Sequence, residues 1–322
     1  TGTDSLLLDS DGDGWDDGTE VTFGTDPTDP TSSLDPNSGK LLAPDGAAGD
    51  LFGSVAFSSS GNTAIVGANG DDTAGGSDAG SAHVFTRDPG GSWTHQEQLL
   101  APGGVGDERF GSRVALASLG DTAIVGAYRT DTAGGADAGS AHVFVRDPGG
   151  NWTHQEELLA PDGLASDFFG FPAALSSSGD TAIVGAWGDD TTAGGLNSGS
   201  AHVFTRDPGG SWAHQEQLLA PDGLASDFFG YSATLSSSGD TAIVGANRDN
   251  TEGGNGAGSA HVFTRDGGGT WTHQQKLLAP DGLANDSFGE SVALSSSGDT
   301  ALVGANYDDT IGGSNAGSAY VF

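Results

Sequence analysis

Residues 63–68 read Thr-Ala-Ile-Val-Gly-Ala, an almost wholly apolar run between Ser60-Gly61-Asn62 and Asn69-Gly70. A short apolar run bounded by turn residues is the pattern of a strand covered on both faces. Residues 52–58 before it mix Phe, Val and Ala with Ser and Gly and form a first strand. A Gly/Asp loop over residues 69–80 follows, then residues 81–86, Ser-Ala-His-Val-Phe-Thr, as a third strand. Asp88-Pro89-Gly90-Gly91 is turn sequence. Residues 93–100, Trp-Thr-His-Gln-Glu-Gln-Leu-Leu, alternate in polarity and suit an outer strand. No apolar spacing of 3.6 residues occurs over residues 40–322, so no helix is expected there.

The chain repeats this unit. Phe-Gly begins at Phe52, Phe110, Phe169, Phe229 and Phe288, in steps of 58, 59, 60 and 59 residues. Val-Gly-Ala begins at Val66, Val125, Val184, Val244 and Val303. Gly-Ser-Ala-(His/Tyr)-Val-Phe ends at Phe85, Phe144, Phe204, Phe263 and Phe322, and a Trp falls at Trp93, Trp152, Trp212 and Trp271. Four strands per unit at a fixed period is the pattern of propeller blades. The expected fold is all-β: a five-bladed β-propeller of four-stranded blades over residues 40–322, preceded by a short segment over residues 1–39. Only four complete fourth strands are present. Lys40-Leu41-Leu42-Ala43-Pro44 matches Lys276-Leu277-Leu278-Ala279-Pro280, so an N-terminal strand is expected to complete the fifth blade and leave no open edge. The alternative is part of a seven-bladed propeller.

Composition narrows the partners. Asp and Glu number 44 against 10 Lys and Arg, a net charge of -34. Such self-repulsion opposes compactness in dilute salt and is screened at molar salt. No basic patch exists to displace counterions from a nucleic acid, so that partner is excluded. Cysteine is absent, which removes disulfides and thiolate chemistry. No apolar run approaches the ~18 residues of a membrane span, so membrane insertion is not expected. Residues 1–4 read as the start of a mature or trimmed product. The acidic, lysine-poor composition is similar to that of proteins from extreme halophiles. It implies an extracellular or cell-surface location in a halophilic archaeon or marine microbe.

From Asp9 onward, carboxylates fall at positions 1 (Asp9), 3 (Asp11), 5 (Asp13), 9 (Asp17) and 12 (Glu20) of a twelve-residue loop. Gly14 stands at position 6 and the Trp15 carbonyl at position 7. This spacing is that of a Ca²⁺ loop, in which hard oxygen donors surround a flexible site. Without a cation, five carboxylates in twelve residues repel one another. The stretch Asp-Ser-Asp-Gly-Asp-Gly-Trp-Asp-Asp-Gly-Thr-Glu-Val-Thr-Phe-Gly-Thr-Asp-Pro resembles the thrombospondin type 3-like calcium repeat of bacteria and archaea, over about residues 4–31. The resemblance implies a stiff, calcium-ordered connector.

The Phe-Gly … Val-Gly-Ala … Gly-Ser-Ala-His-Val-Phe unit resembles the FG-GAP repeat, the blade of integrin α-subunit propellers. Here Asn, Tyr or Trp follows the Ala where the name has Pro. Integrin-type blades carry an Asp-x-Asp-x-Asp-Gly loop between their first two strands. This chain has Ser-Ser-Ser-Gly-Asp/Asn-Thr, with one carboxylate or none, so blade calcium is not carried over. Acids after the second strand, such as Asp71 and Asp72, are expected to cap turns. Asp50, Asp107, Asp167, Asp227 and Asp286, before Phe-Gly, are expected to accept turn N–H groups. Equivalent histidines lie in separate blades, too far apart to share a metal, and the ligands within one blade fall short of a zinc set.

No catalytic motif stands out, and five-fold copying supplies like residues where an active site needs unlike ones. Enzyme activity is therefore not expected, with a polysaccharide lyase or hydrolase as the alternative. The informative positions are those where repeats disagree. After Val-Gly-Ala these give Tyr128, Arg129, Trp187, Arg248 and Tyr307 as a candidate ligand rim, residue types enriched at binding hot spots. The residue after Phe-Gly also varies: Ser54, Ser112, Phe171, Tyr231 and Glu290. The expected function is an extracellular calcium-binding adhesion or scaffold module contacting protein or glycan, or else a structural subunit that self-associates in a surface filament or sheath.

Overall fold

The computed structural model describes residues 40–322, and the expected Ca²⁺ ligands Asp9, Asp11, Asp13, Trp15, Asp17 and Glu20 lie outside them. The described residues are all-β, with no helix among them. They fall into two compact units, one holding residues 40–42 and 87–94 and the other residues 43–86 and 95–322. The first contains a hairpin tip, where the Asp88 carboxylate accepts the Ser92 N–H at 2.9 Å.

Each repeat folds as an antiparallel meander. The first sheet is β1 (Phe52–Phe57), β2 (Thr63–Ala68), β3 (Ser81–Arg87) and β4 (Trp93–Leu99). The second is β5 (Phe110–Leu116), β6 (Thr122–Ala127), β7 (Ser140–Arg146) and β8 (Trp152–Leu158). The third is β9 (Ala173–Leu175), β10 (Thr181–Ala186), β11 (Ser200–Arg206) and β12 (Trp212–Leu218). The fourth is β13 (Phe229–Leu235), β14 (Thr241–Ala246), β15 (Ser259–Arg265) and β16 (Trp271–Leu277). The fifth has three strands, β17 (Phe288–Leu294), β18 (Ala301–Ala305) and β19 (Ser318–Val321). β9 is short because Pro172 offers no N–H to the ladder. The arrangement is a propeller of five blades.

Successive blades meet through one repeated interface. Ile124, Ala141, Val143 and Leu158 of the second blade pack on Phe169, Ala182, Val184, Phe204 and Trp212 of the third. The same positions make the flanking interfaces. The first strands touch their neighbours in turn, β1 to β5, β5 to β9, β9 to β13 and β13 to β17, which places them on the inner side. Backbone hydrogen bonds join the blades at the turns that end these strands: Ser59 N–H to the Ser118 carbonyl at 2.9 Å, then Ser118 to Ser177, Ser177 to Ser237 and Ser237 to Ser296 at 3.0 Å.

The ends of this array differ from the expected closure. Residues 40–44 form no strand, and the fifth sheet lacks a fourth. A turn begins at Pro44, so the matching stub is too short to reproduce the Trp-to-Leu strand of the other blades. Among the described residues, side chains on both end faces are accordingly exposed. Val55 is 63% exposed where its register equivalent Val114 is 8%, and Leu302 is 45% exposed where Ile65, Ile124, Ile183 and Ile243 are fully buried.

Candidate binding mouth

The loops before each Phe-Gly and after each Val-Gly-Ala meet at one end of the inner strands. In the third and fourth blades the residue before Phe-Gly is a second phenylalanine, Phe168 or Phe228, held at φ 56° and 57°. Left-handed backbone is unfavourable for such a residue, yet Leu51, Arg109 and Ser287 take it too. The Phe-Gly turn therefore imposes it in every blade. It throws the two phenylalanine rings onto Trp187, which stacks on Phe168 at 4.5 Å with planes 12° apart and meets Phe228 edge-on at 5.2 Å. Tyr128 of the second blade packs on Phe168 and Phe171 of the third, and Phe171 on Tyr231 of the fourth. Offset and edge-on pairs of this kind are the favoured aromatic geometries.

Polar groups enter the cluster from the second, fourth and fifth blades. The Arg113 guanidinium lies 3.8 Å over the Phe171 ring. Arg129 sits 5.8 Å over Tyr128, and Arg248 the same distance over Phe228. Asn247 donates its amide to Glu290 at 2.7 Å. The Tyr231 hydroxyl donates to the same carboxylate, and burial with that charge pushes the phenol pKa up. Asn247 is 5% exposed, and its Oδ1 has no hydrogen-bond partner among the described residues. A buried acceptor left unpaired costs ~1–3 kcal/mol, which a donating ligand would recover.

Of the five rim residues expected from sequence, Tyr128 and Trp187 join the packed rings, and Arg129 and Arg248 lie over ring faces. Tyr307 stands outside them, about half exposed. Phe168, Phe228 and Arg113 were not singled out, and Asn247 was marked only as a divergent position after Val-Gly-Ala. The signal was there: Leu51, Arg109, Phe168, Phe228 and Ser287 disagree at one aligned position. Convergence of Arg113, Tyr231, Asn247 and Glu290 also removes one argument against catalysis, since unlike residues do meet.

A second polar feature recurs away from the aromatic rings. In the first blade Gln98 Nε2 donates to Asp45 at 3.0 Å and to Asp71 at 3.2 Å. In the third, Gln217 bridges Asp162 and Asp189. In the fourth, the Lys276 ammonium takes the same place between Asp222 and Asp249, at 2.7 and 2.6 Å. In the fifth, the Tyr320 hydroxyl bonds Asp281 and Asp308. In the second blade the acids become Gly103 and Thr130, and the donor becomes Glu157. A carboxylate pair thus travels with its donor.

Asp45, Asp71 and His83 bring ligand atoms within 4.8 Å of one another, close enough for a metal. Both His83 nitrogens already have partners, Ser81 Oγ at 3.0 Å and His95 Nε2 at 3.1 Å. Gln98 holds the carboxylates, so the donor set fits an internal polar network better than an ion. The same Ser–His–His chain recurs through His142–His154, His202–His214 and His261–His273. Burial is the main cause holding His142 and His261 down to about 3 and His202 to about 4. These imidazoles are neutral hydrogen-bond relays, and sequence spacing did not reveal the pairing.

Most acids expected to serve turns do so. Asp50, Asp167, Asp227 and Asp286 each accept a backbone N–H three residues before them. In the second blade the role passes to Glu108, which accepts from Val105, while the Asp107 side chain is mostly exposed. Glu108, two residues before Phe110, is the aligned equivalent of Asp50, Asp167, Asp227 and Asp286, and Asp107 stands one residue earlier. Asp72, Asp131, Asp190 and Asp309 cap the loop after the second strand, each accepting one backbone N–H.

Among curated protein sequences none matches this chain. Solved structures that share its fold include two from bacteria. One is a protein from Lactobacillus plantarum, 15% identical with a TM-score of 0.52, covering 88% of this chain and 72% of that one. The other is a periplasmic gluconolactonase from Pseudomonas aeruginosa, 17% identical with a TM-score of 0.52, covering 84% of this chain and 69% of that one. The family model for the FG-GAP repeat matches residues 37–85, 93–144, 152–204, 212–263 and 271–322, so the chain belongs to the FG-GAP repeat family.

Proposed function

We propose that this chain is an extracellular adhesion or scaffold module that grips a protein or glycan partner at its aromatic mouth. An FG-GAP propeller is consistent with an interaction or scaffold role. The observation that carries the reading is where the repeats diverge. The blade cores are copied almost unchanged, whereas Tyr128, Phe171, Trp187, Tyr231 and Glu290 differ from blade to blade and gather at one place. Aromatic and arginine side chains on rigid loops are the usual carriers of binding energy. The spacing of Asp9, Asp11, Asp13, Asp17 and Glu20 supports Ca²⁺ as the ordering ion of the preceding segment. The net charge of -34 supports a high-salt surface environment.

The test is a binding screen across glycans and cell-surface proteins with the wild type and with Trp187→Ala and Tyr128→Ala. Binding lost in both variants, with melting temperature kept, supports the mouth. Binding untouched by either change removes it. A second reading is self-association, favoured by the exposed apolar side chains of Val55, Leu302 and Val321. Light scattering across a concentration series decides it, since a constant monomer mass refutes it. An enzymatic reading rests on the fold shared with a lactonase and on the unlike residues of the mouth. Turnover on a polysaccharide and lactone panel is its requirement, and silence there dismisses it.

A further inference from the structure

Basic residues are scarce here, so their placement is informative. Arg109, Arg206, Arg265 and Lys276 are each paired with a carboxylate. Arg87 and Arg146 make no ion pair among the described residues and donate instead to the Gly91 and Gly150 carbonyls of their own hairpin turns. Arg113, Arg129 and Arg248, also without an ion pair among the described residues, all lie against rings of the mouth. In a chain of net charge -34, unpaired guanidinium groups gathered at one site mark where an anion is accommodated. A guanidinium fork matches a carboxylate or sulfate in two parallel hydrogen bonds.

The rest of the site fits the uncharged part of such a ligand. Trp187, Tyr128 and Phe171 offer ring surface to the apolar face of a pyranose. Asn247 Oδ1 is a buried acceptor without a donor, and the Glu290 carboxylate beside it accepts as well. Hydroxyl groups supply donors in several directions, as sugars do. Resting on the reading that the mouth binds a partner, we propose that this partner is an anionic polysaccharide. Its acid groups meet Arg113, Arg129 and Arg248, its ring faces lie on the aromatic side chains, and its hydroxyls bond Asn247 and Glu290. The acidic surface elsewhere repels such a chain, so engagement is confined to this place.

Calorimetry at fixed salt uses four probes: oligogalacturonate, its methyl-esterified neutral form, a sulfated galactan oligosaccharide and a polyglutamate peptide. The proposal expects binding of an acidic sugar, at least about tenfold weaker binding of the neutral ester, and weaker binding at higher salt. The carboxylated and sulfated arms show which acid group is taken. Arg113→Gln and Arg248→Gln each weaken the acidic sugar about tenfold, Arg113→Lys restores part of it, and Arg206→Gln leaves it unchanged. Melting temperatures of all variants confirm folding. Equal affinity for acid and ester overturns the proposal, as does polyglutamate binding as tightly as the sugars, or no sugar binding at all. If Trp187→Ala still abolishes capture of some other partner, only this inference fails. If no mouth variant affects any partner, the binding reading fails with it.

Discussion

A Cβ built on Gly126 would come 2.0 Å from the carbonyl oxygen of Gly170 in the next blade. Gly67, Gly185 and Gly245 meet Gly111, Gly230 and Gly289 in the same way, at 2.0–2.1 Å. The glycine of Val-Gly-Ala is therefore a contact residue that lets two backbones approach, rather than a turn residue. Gly304, at the open end, would meet only the movable Ser291 hydroxyl of its own blade. This gives a comparison within one molecule. Gly126→Ala should cost about 1–3 kcal/mol, the usual range for overpacking, and Gly304→Ala much less. Urea unfolding measures both, and equal losses would mean the blade contact is not what fixes this glycine. The repeated Val-Gly-Ala was plain in the sequence. Its reason was not, because the clashing atom lies some 44 residues away in the next repeat.

At the scale of the strand and its loops, the second strand of the first four sheets is nearly all buried, as its unbroken apolar run predicts, and the third is buried along most of its length. Strand identity and order were legible because apolar runs and turn residues recur in phase. Register was less so. The first blade has one residue fewer between its paired Phe and the glycine partner than the second: Phe52 and Ser54 against Phe110 and Arg113. The turn acid of the second blade is Glu108 because it, and not Asp107, lies two residues before the Phe of Phe-Gly, as Asp50 and Asp167 do. The histidine pairs escaped notice for a related reason, since a bulge between Val143 and Phe144 sets the facing of β7 and β8. The mouth was half legible. Variation after Val-Gly-Ala marked Tyr128 and Trp187, but it gave no sign of the left-handed turn that brings the Phe168 and Phe228 rings onto Trp187.

Titration belongs to this scale as well. The ordinary imidazole value is 6.5, and burial lowers His142 and His261 to about 3 and His202 to about 4. Unfolded imidazoles take up protons that the folded ones refuse, so this stability is full above about pH 6.5 and is lost as pH falls towards the folded values. Asp167 and Asp227 act in the opposite sense. Burial raises them to about 6 from 3.8, so their contribution declines as pH rises between those values. Three imidazoles with the larger shifts outweigh two carboxyls. The melting temperature should fall between pH 7 and pH 5, and a rise over that interval would contradict neutral buried imidazoles.

For the molecule as a whole, the blade interface occurs four times among the described residues, and the matching positions of the first and fifth blades are exposed. Ile124 and Leu302 hold the same position on the second and fifth blades, buried in one and 45% exposed in the other. Ile124→Asp buries an unpaired charge and should cost more than about 4 kcal/mol. Leu302→Asp should change stability by less than about 1 kcal/mol in the monomer. Thermal unfolding of the two variants compares them directly, and a severe loss from Leu302→Asp would mean that this face is covered in solution. The net charge of -34 acts on the same scale. Dilution from molar to low salt should lower the melting temperature, with Ca²⁺ partly restoring it. No change across that range would remove the argument for a high-salt setting.

Hydrogen–deuterium exchange, with and without a partner recovered in the binding screen, tests most directly whether the diverged residues form the working surface. The account predicts slowed exchange in residues 168–171, 187–188, 228–231 and 247–248, with the outer strands unchanged. Slowing confined to the outer strands or the end faces, with those loops unaffected, would contradict it.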